Sequence, residues 1–275
     1  MSPTWVSEDK PLSTPPGAGG WIRILLRGGA IGALAFGGCA LVVALRLVER
    51  PLFGAARPWT STIPRFVFRN AFRILGMGFR VTGAPMREAG AVVANHGSWL
   101  DIFALGAPQS VYFVSKSEVA GWPGIGWLAK STGTVFISRD ARDAATQREI
   151  LAKRLAVGHR LAFFPEGTST DGMRVLAFKS TLFAALFPDR PSEEVAVQPV
   201  TVIYRAPEGA DPRFYGWWGD MGFGEHLVKL LAASRQGSVE LAYHPPLRAT
   251  EFADRKALAR AAEDAVRSAM PFSPD

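Results

Sequence analysis

The chain has 275 residues, 48% of them hydrophobic, with 28 Gly, 20 Pro and a single Cys. That is enough apolar chain for one sizeable core, and it excludes a disordered protein. The lone Cys39 excludes an internal disulfide and a Cys-rich metal site, and its apolar neighbours mark it as a packed small hydrophobe. The net charge is +7, and all of it lies in residues 1–80, where ten Lys and Arg face three acids; residues 81–275 carry twenty-one of each sign. A neutral domain behind a cationic leader points to an anionic surface, either nucleic acid or phospholipid.

Taken in order, residues 1–20 are rich in Pro, Gly, Ser and Thr and are expected as a flexible tail. Gly28–Leu45 is an 18-residue run without charge, bounded by Arg27 and Arg46. Eighteen residues sit at the lower edge for crossing a bilayer, and Gly and Ala dilute the run. Spanning, shallow insertion and entry into one leaflet all remain open. A cleaved signal peptide fits poorly, because the chain starts acidic and Pro-rich. After a turn at Pro58 and Pro64, residues 65–80 read as one helix. On it Arg65, Arg69, Arg73 and Arg80 fall within an arc of about 80°, with Phe, Val, Ile, Leu and Met around the rest. The plainer reading is a core helix with a solvated Arg face. The uncharged run before it favours an interfacial helix with its cations at lipid phosphates. No helix-turn-helix, zinc or RNA-binding signature accompanies it, so no nucleic-acid partner is expected. Residues 21–80 are thus a membrane-associated helical leader and residues 81–275 the main domain.

In the main domain, strand-like runs (91–94, 111–115, 134–137, 161–164, 195–204, 239–243) alternate with helix-like stretches (99–105, 126–130, 142–157, 179–187, 225–233, 255–269). The alternation predicts an α/β fold, a sheet covered by helices, in which reacting residues gather where strands end.

Three such ends carry chemistry. In Asn95-His96-Gly97-Ser98-Trp99-Leu100-Asp101, Ser98 is a reasonable N-cap for a helix. Five residues along a regular helix is about 140° of rotation, so His96 and Asp101 meet only if His96 lies in the loop and folds back over the first turn. Asp101 would then fix the imidazole tautomer and leave the other ring nitrogen as a base. A His and an Asp that merely cap a helix are the plainer alternative. Phe164-Pro165-Glu166-Gly167-Thr168-Ser169-Thr170 follows an apolar strand with a turn whose N–H groups suit an anion. Gly167 to Gly172 resembles a phosphate-binding P-loop only superficially, since Met173-Arg174 stand where Lys and Ser or Thr belong. Gly133 to Arg139 is a strand ending in Arg. Beside a histidine base and an anion-compatible turn, Arg139 reads as an anion clamp. His159, His226 and His244 are scattered and read as surface or packing residues.

Together these stretches resemble the glycerolipid acyltransferase superfamily. Its N-H-x4-D motif is matched by Asn95, His96 and Asp101. G-x-x-F-I-x-R is matched by Gly133, Phe136, Ile137 and Arg139. F-P-E-G-T is matched by Phe164, Pro165, Glu166, Gly167 and Thr168, and V-x-P-V by Val197, Pro199 and Val200. Ser169-Thr170 stand where the family has Arg-Ser. Residues 111–133 also look like the family's linker, with Lys116 at a position where those enzymes often carry Lys. The resemblance implies His96 as general base oriented by Asp101, with Arg139, Glu166, Gly167, Thr168 and Lys116 positioning the acceptor. It implies no metal and no cofactor beyond the acyl donor, acyl carrier protein or CoA thioester. It implies 1-acyl-sn-glycerol-3-phosphate as the acceptor lysolipid. A lyso-ornithine lipid is the alternative, because the missing Arg weakens a phosphomonoester clamp and a carboxylate needs less. The segment 214–221 resembles a stretch of that second subgroup, or is aromatic packing beside the membrane. A lipid-binding protein that kept the fold and a thioester hydrolase are the competing classes. The expected location is the cytoplasmic face of a bacterial inner membrane.

Overall fold

Among the described residues, runs of Val, Ala, Phe and Leu form eight strands: β1 (Gly78–Thr82), β2 (Gly90–Ala94), β3 (Tyr112–Lys116), β4 (Val135–Ile137), β5 (Arg160–Phe163), β6 (Ala196–Arg205), β7 (Ser238–Tyr243) and β8 (Leu247–Arg248). The structure is a computed structural model that describes residues 5–7, 15–138, 141–187 and 195–272. The strands make one mixed sheet in the order β1-β7-β6-β2-β5-β3-β4, with β8 paired to β6. β2, β3, β4, β5 and β6 run parallel to their neighbours within that set. β7 is antiparallel to β6, and β1 follows β7. The C-terminal ends of five strands therefore share one edge; N-H-x4-D and F-P-E-G-T lie just beyond the ends of β2 and β5, whereas V-x-P-V lies within the first half of β6.

β2 is buried at all of its positions, as a strand covered on both faces must be. Successive side chains point to opposite faces. Val92 and Ala94 join Val200, Val202, Leu105 and Leu230 on one side. Ala91 and Val93 join Leu161, Phe163, Phe183 and Leu258 on the other. The second layer is roofed by α6 (Ala144–Ala156) and α8 (Arg255–Ser268), the first by α4 (Asp101–Gly106), α7 (Phe223–Ala232) and the leader.

In the leader, α1 (Ala18–Arg23) passes through a π-helical turn (Ile24–Gly28) into α2 (Gly29–Phe53). The result is one helix of 36 residues, about 54 Å long. It is the one helix among the described residues long and apolar enough to cross a membrane, by length and composition. Its outer face exposes Trp21, Leu25, Leu26, Leu47 and Leu52, each more than half accessible. Its inner face is docked along its length. Arg23 donates to the carbonyl of Ala232 at 2.7 Å, and Arg27 to those of Leu231 and Ala233 at 3.1 and 2.6 Å, two cations on the C-terminal end of α7. At Gly38 the helix meets α3 (Thr62–Leu75) so closely that a Cβ would stand 2.7 Å from Val67 Cγ2. Near its end, Glu49 accepts from the N–H groups of Trp59 and Thr60 at 2.7 and 3.0 Å, and Arg57 in the same loop donates to the carbonyl of Ser131 on α5 (Ile125–Thr132).

The observed elements correct several expectations. The helix begins at Ala18, inside the stretch expected as tail, and Trp5 packs on Trp218. The second leader helix ends at Leu75, because Gly76 turns left-handed (φ +75°) and Met77 N–H closes back on the carbonyl of Phe72 at 3.0 Å, a helix-terminating pattern. Arg80 is therefore on β1, and the exposed Arg stripe is Arg65, Arg69 and Arg73. The boundary expected at 80 falls within β1, and Phe72 and Leu75 share a core with β2 and β6. The stretch 179–187 is reduced to a 3-10 segment, Leu182–Leu186.

Candidate active site

β2 ends at Ala94, and Asn95 extends it by other means. Its amide donates to the carbonyl of Val202 at 2.9 Å and accepts from the N–H of Val202 at 2.8 Å, so a side chain continues the ladder to β6. The chain then turns away, and His96 stands at the sheet edge. α4 starts at Asp101, not at Ser98. Ahead of it the chain makes a tight turn around the Asp101 side chain. Its Oδ2 accepts from Gly97 N–H at 2.9 Å and Ser98 N–H at 3.0 Å. Ser98 serves from within the turn, its carbonyl accepting from Asp101 N–H at 3.1 Å.

The same Oδ2 lies 2.7 Å from His96 Nδ1. This contact assigns the ring proton to Nδ1 and leaves Nε2 as the basic nitrogen, with no partner among the described residues. Asp101 is fully buried and the His96 side chain is 19% exposed. Its second oxygen accepts from the Tyr204 hydroxyl at 2.6 Å, so four donors surround one buried carboxylate and neither oxygen is left unpaired. Burial, then the charge of Asp101, pushes the Tyr204 phenol well above its ordinary range and keeps it a donor. Phe164 stacks on the other side of the imidazole, ring centroids 4.0 Å apart and 10° from parallel.

The loop from Phe164 to Arg174 is tied to this base. Thr170 N–H donates to the carbonyl of His96 at 2.8 Å. Gly97 approaches Gly172 so closely that a Cβ on Gly97 would meet the Cα of Gly172 at 2.8 Å. Trp217 N–H donates to the carbonyl of Gly97 at 2.9 Å. Thus the aromatic segment 214–221 clamps the base loop, with Tyr215 and Trp218 buried beneath it.

Sequence-predicted residues fall in different places. Glu166 is 1% exposed and turned inward, accepting from Leu176 N–H at 3.2 Å. Burial raises its carboxyl well above the usual range, against the N–H groups of Leu176 and His96. It braces the loop behind His96 rather than offering an open head-group ligand. Gly167 (φ +73°) and Thr168 are half-exposed at the turn, and Thr168 Oγ1 accepts from Trp5 N–H at 3.3 Å. Lys116 closes β3, in register with Ile137 at the end of β4. Arg139 lies outside the described residues, two positions beyond β4. Tyr204 was not singled out by any motif, and neither was His226, whose Nδ1 accepts from the Trp99 indole at 2.9 Å. His159 stacks on Tyr112, and His244 pairs with Thr201.

His96, Phe164 and Trp99 form one wall of an apolar cavity of about 490 Å³. Its opposite walls are the leader, with Ile31, Ala35, Phe36, Cys39 and Val42 from α2 and Val67 and Phe72 from α3. The geometry is a buried carboxylate, an imidazole oriented by it, and an apolar chamber that the imidazole lines. That suits proton abstraction from a hydroxyl beside a long apolar group.

The comparisons with known proteins agree. Residues 79–203 match the family described as Acyltransferase. The lyso-ornithine lipid O-acyltransferase of Rhodobacter capsulatus is 54% identical over 268 residues, covering 98% of this chain and 97% of that one. The 1-acyl-sn-glycerol-3-phosphate acyltransferase of Neisseria gonorrhoeae is 30% identical over 210 residues, 75% of this chain and 80% of that one. The chain belongs to the glycerolipid acyltransferase superfamily, and it is an acyltransferase. The fold is likewise that of the crystal structure of the 1-acyl-sn-glycerophosphate acyltransferase from Thermotoga maritima, with a TM-score of 0.62 at 20% identity over 91% of this chain and 95% of that one.

Proposed function

We propose that this protein is a lyso-ornithine lipid O-acyltransferase, moving a fatty acyl group from a thioester of acyl carrier protein or CoA to the free hydroxyl of the lysolipid. The slight lean toward lysophosphatidate, which rested on the breadth of the family, gives way to its alternative. The observation that carries the acceptor is the 54% identity to the R. capsulatus lyso-ornithine enzyme over nearly the whole chain, against 30% for the N. gonorrhoeae lysophosphatidate enzyme. Ser169, in place of the family's Arg, points the same way.

In the mechanism, His96 Nε2 takes the hydroxyl proton as the oxygen attacks the thioester carbonyl. Asp101 holds the ring and steadies the imidazolium. The C–S bond breaks as the ester C–O bond forms, and the imidazolium returns its proton to the leaving sulfur. No enzyme nucleophile is needed. The cavity between α2, α3 and His96 would hold an acyl chain, whose apolar surface its walls match. The leader helix would lie in one leaflet rather than cross, because its start is docked on α7, its middle on α3, and the loop after its end on Ser131. The inner membrane's cytoplasmic face suits both the thioester donors and the Arg-rich flanks.

The test is a product assay. Purified protein in detergent receives acyl-carrier-protein or CoA thioester with either lysolipid, and products are read by mass spectrometry, with His96→Ala as control. Diacyl product from the lyso-ornithine lipid, lost in the variant, is the expected result. Product from lysophosphatidate alone overturns the acceptor, and free fatty acid alone would make the protein a hydrolase.

A further inference from the structure

The turn that lacks the family's Arg has another cation beside it. Lys179 returns to this turn from twelve residues beyond Gly167, its N–H donating to the carbonyl of Pro165 at 3.0 Å. Its ammonium lies against Gly167, where a Cβ would stand 2.9 Å from Nζ. Only the bare Cα of a glycine, in a left-handed conformation that other residues avoid, leaves room for that approach. Of the two cations on this loop, Arg174 is held by both oxygens of Asp171, at 3.1 and 3.0 Å, and lies beneath Trp5. Lys179 is exposed, and its ammonium has no acceptor among the described residues. The turn it overhangs begins at Phe164, whose ring stacks on the catalytic imidazole.

Resting on the acceptor reading above, we propose that Lys179 is the residue that binds the acceptor's carboxylate and selects for it. A planar Arg fork pairs two oxygens of a phosphate or of a carboxylate at once, whereas a lone ammonium supplies a single compact charge. With Ser at 169, Lys179 is left, among the described residues, as the one unpaired cation at the turn, a charge that matches a single carboxylate and falls short of a dianionic phosphate. Gly167 supplies the space and Thr168 the adjoining polar wall, so the head group is held one turn away from His96 while the acyl chain carries the hydroxyl to the base.

The experiment compares two acceptors on the purified full-length protein in detergent: an N-(3-hydroxyacyl)-ornithine and its carboxylate methyl ester. The wild type is expected to use the acid about ten- to a hundredfold better, through KM. Lys179→Ala and the stem-preserving Lys179→Gln are expected to raise KM for the acid by that factor, leave kcat near wild type, and treat acid and ester alike. Lys179→Arg keeps the charge and is expected to keep the discrimination. A merely structural lysine would lower use of both acceptors in parallel, and that result overturns the assignment. A wild type that acylates acid and ester equally well overturns it too, while leaving the acceptor reading standing. A wild type that transfers nothing to the lyso-ornithine acceptor sinks both.

Discussion

The Tyr204 hydroxyl donates to Asp101 at 2.6 Å across 103 residues of sequence, and it is the contact that completes the buried carboxylate. Tyr204→Phe keeps the ring and removes the donor. Asp101 would then hold the His96 imidazolium with one oxygen unpaired, a loss of about 1–3 kcal/mol. The expected result is about a tenfold lower kcat at unchanged KM, with a lowered denaturation midpoint. An unaltered kcat at full stability would show that Tyr204 merely fills space.

Why Tyr204 escaped sequence reading, while His96 and Asp101 did not, is a matter of range. His96 and Asp101 are local, and their spacing carries its own geometric argument. Tyr204 lies four residues past Val200, on a strand that reads as uniformly buried, and nothing in its spacing points at Asp101. The same limit explains the helix drawn from 65 to 80. Apolar periodicity runs smoothly through Gly76, and the left-handed turn there is visible only as backbone. Ser98 looks like a cap on paper, but its hydroxyl accepts from Leu100 N–H inside the turn at 3.3 Å, and α4 starts at Asp101 without a side-chain cap. The docking of the leader was illegible because Arg23 and Arg27 bind carbonyls of α7, and a carbonyl has no residue signature. Glu166 matched its motif position, yet its inward turn follows from the N–H groups of Leu176 and His96 behind it.

The chamber beside His96 makes a prediction about chain length. Ala35 is on its α2 wall, and Ala35→Phe would fill part of it. Competition between thioesters of different chain length should then shift toward shorter acyl groups, with kcat on the shortest donor near wild type. An unchanged length profile in a folded variant would mean that the acyl chain lies elsewhere.

The contacts of Arg23, Arg27, Gly38 and Arg57 make the proposed one-leaflet placement of the leader testable. Cysteines introduced as Ala18→Cys and Ala55→Cys in a Cys39→Ala background should both react, in sealed inverted vesicles, with a membrane-impermeant maleimide. Labelling at one end only would mean that the helix crosses. Alkaline carbonate should leave the protein in the pellet, since the exposed Trp21, Leu25, Leu26, Leu47 and Leu52 are an apolar face of an integral kind. Full release at high pH would reduce the leader to a peripheral contact.

Two buried histidines set a limit on acid stability. Burial, then Arg154, Arg57 and Arg46, lowers His159 to about 4. Burial, then Lys229, lowers His226 to about 3. Unfolded, each takes up a proton near pH 6.5. Between the folded and unfolded values the unfolded chain binds more protons, so stability falls as the pH drops. From pH 7 to 5 the loss is about 2 kcal/mol per histidine. Glu166 works in the opposite sense: its raised carboxyl destabilises the fold above its unfolded value, and acidification relieves that cost. Comparing variants isolates the histidine share. Denaturation midpoints of His159→Gln and His226→Gln, followed in mild detergent from pH 7 to 5, should each decline less steeply than wild type, and the double variant least. Parallel declines in all of them would mean that these side chains find water or an acceptor on protonation, and that the acid sensitivity comes from other groups.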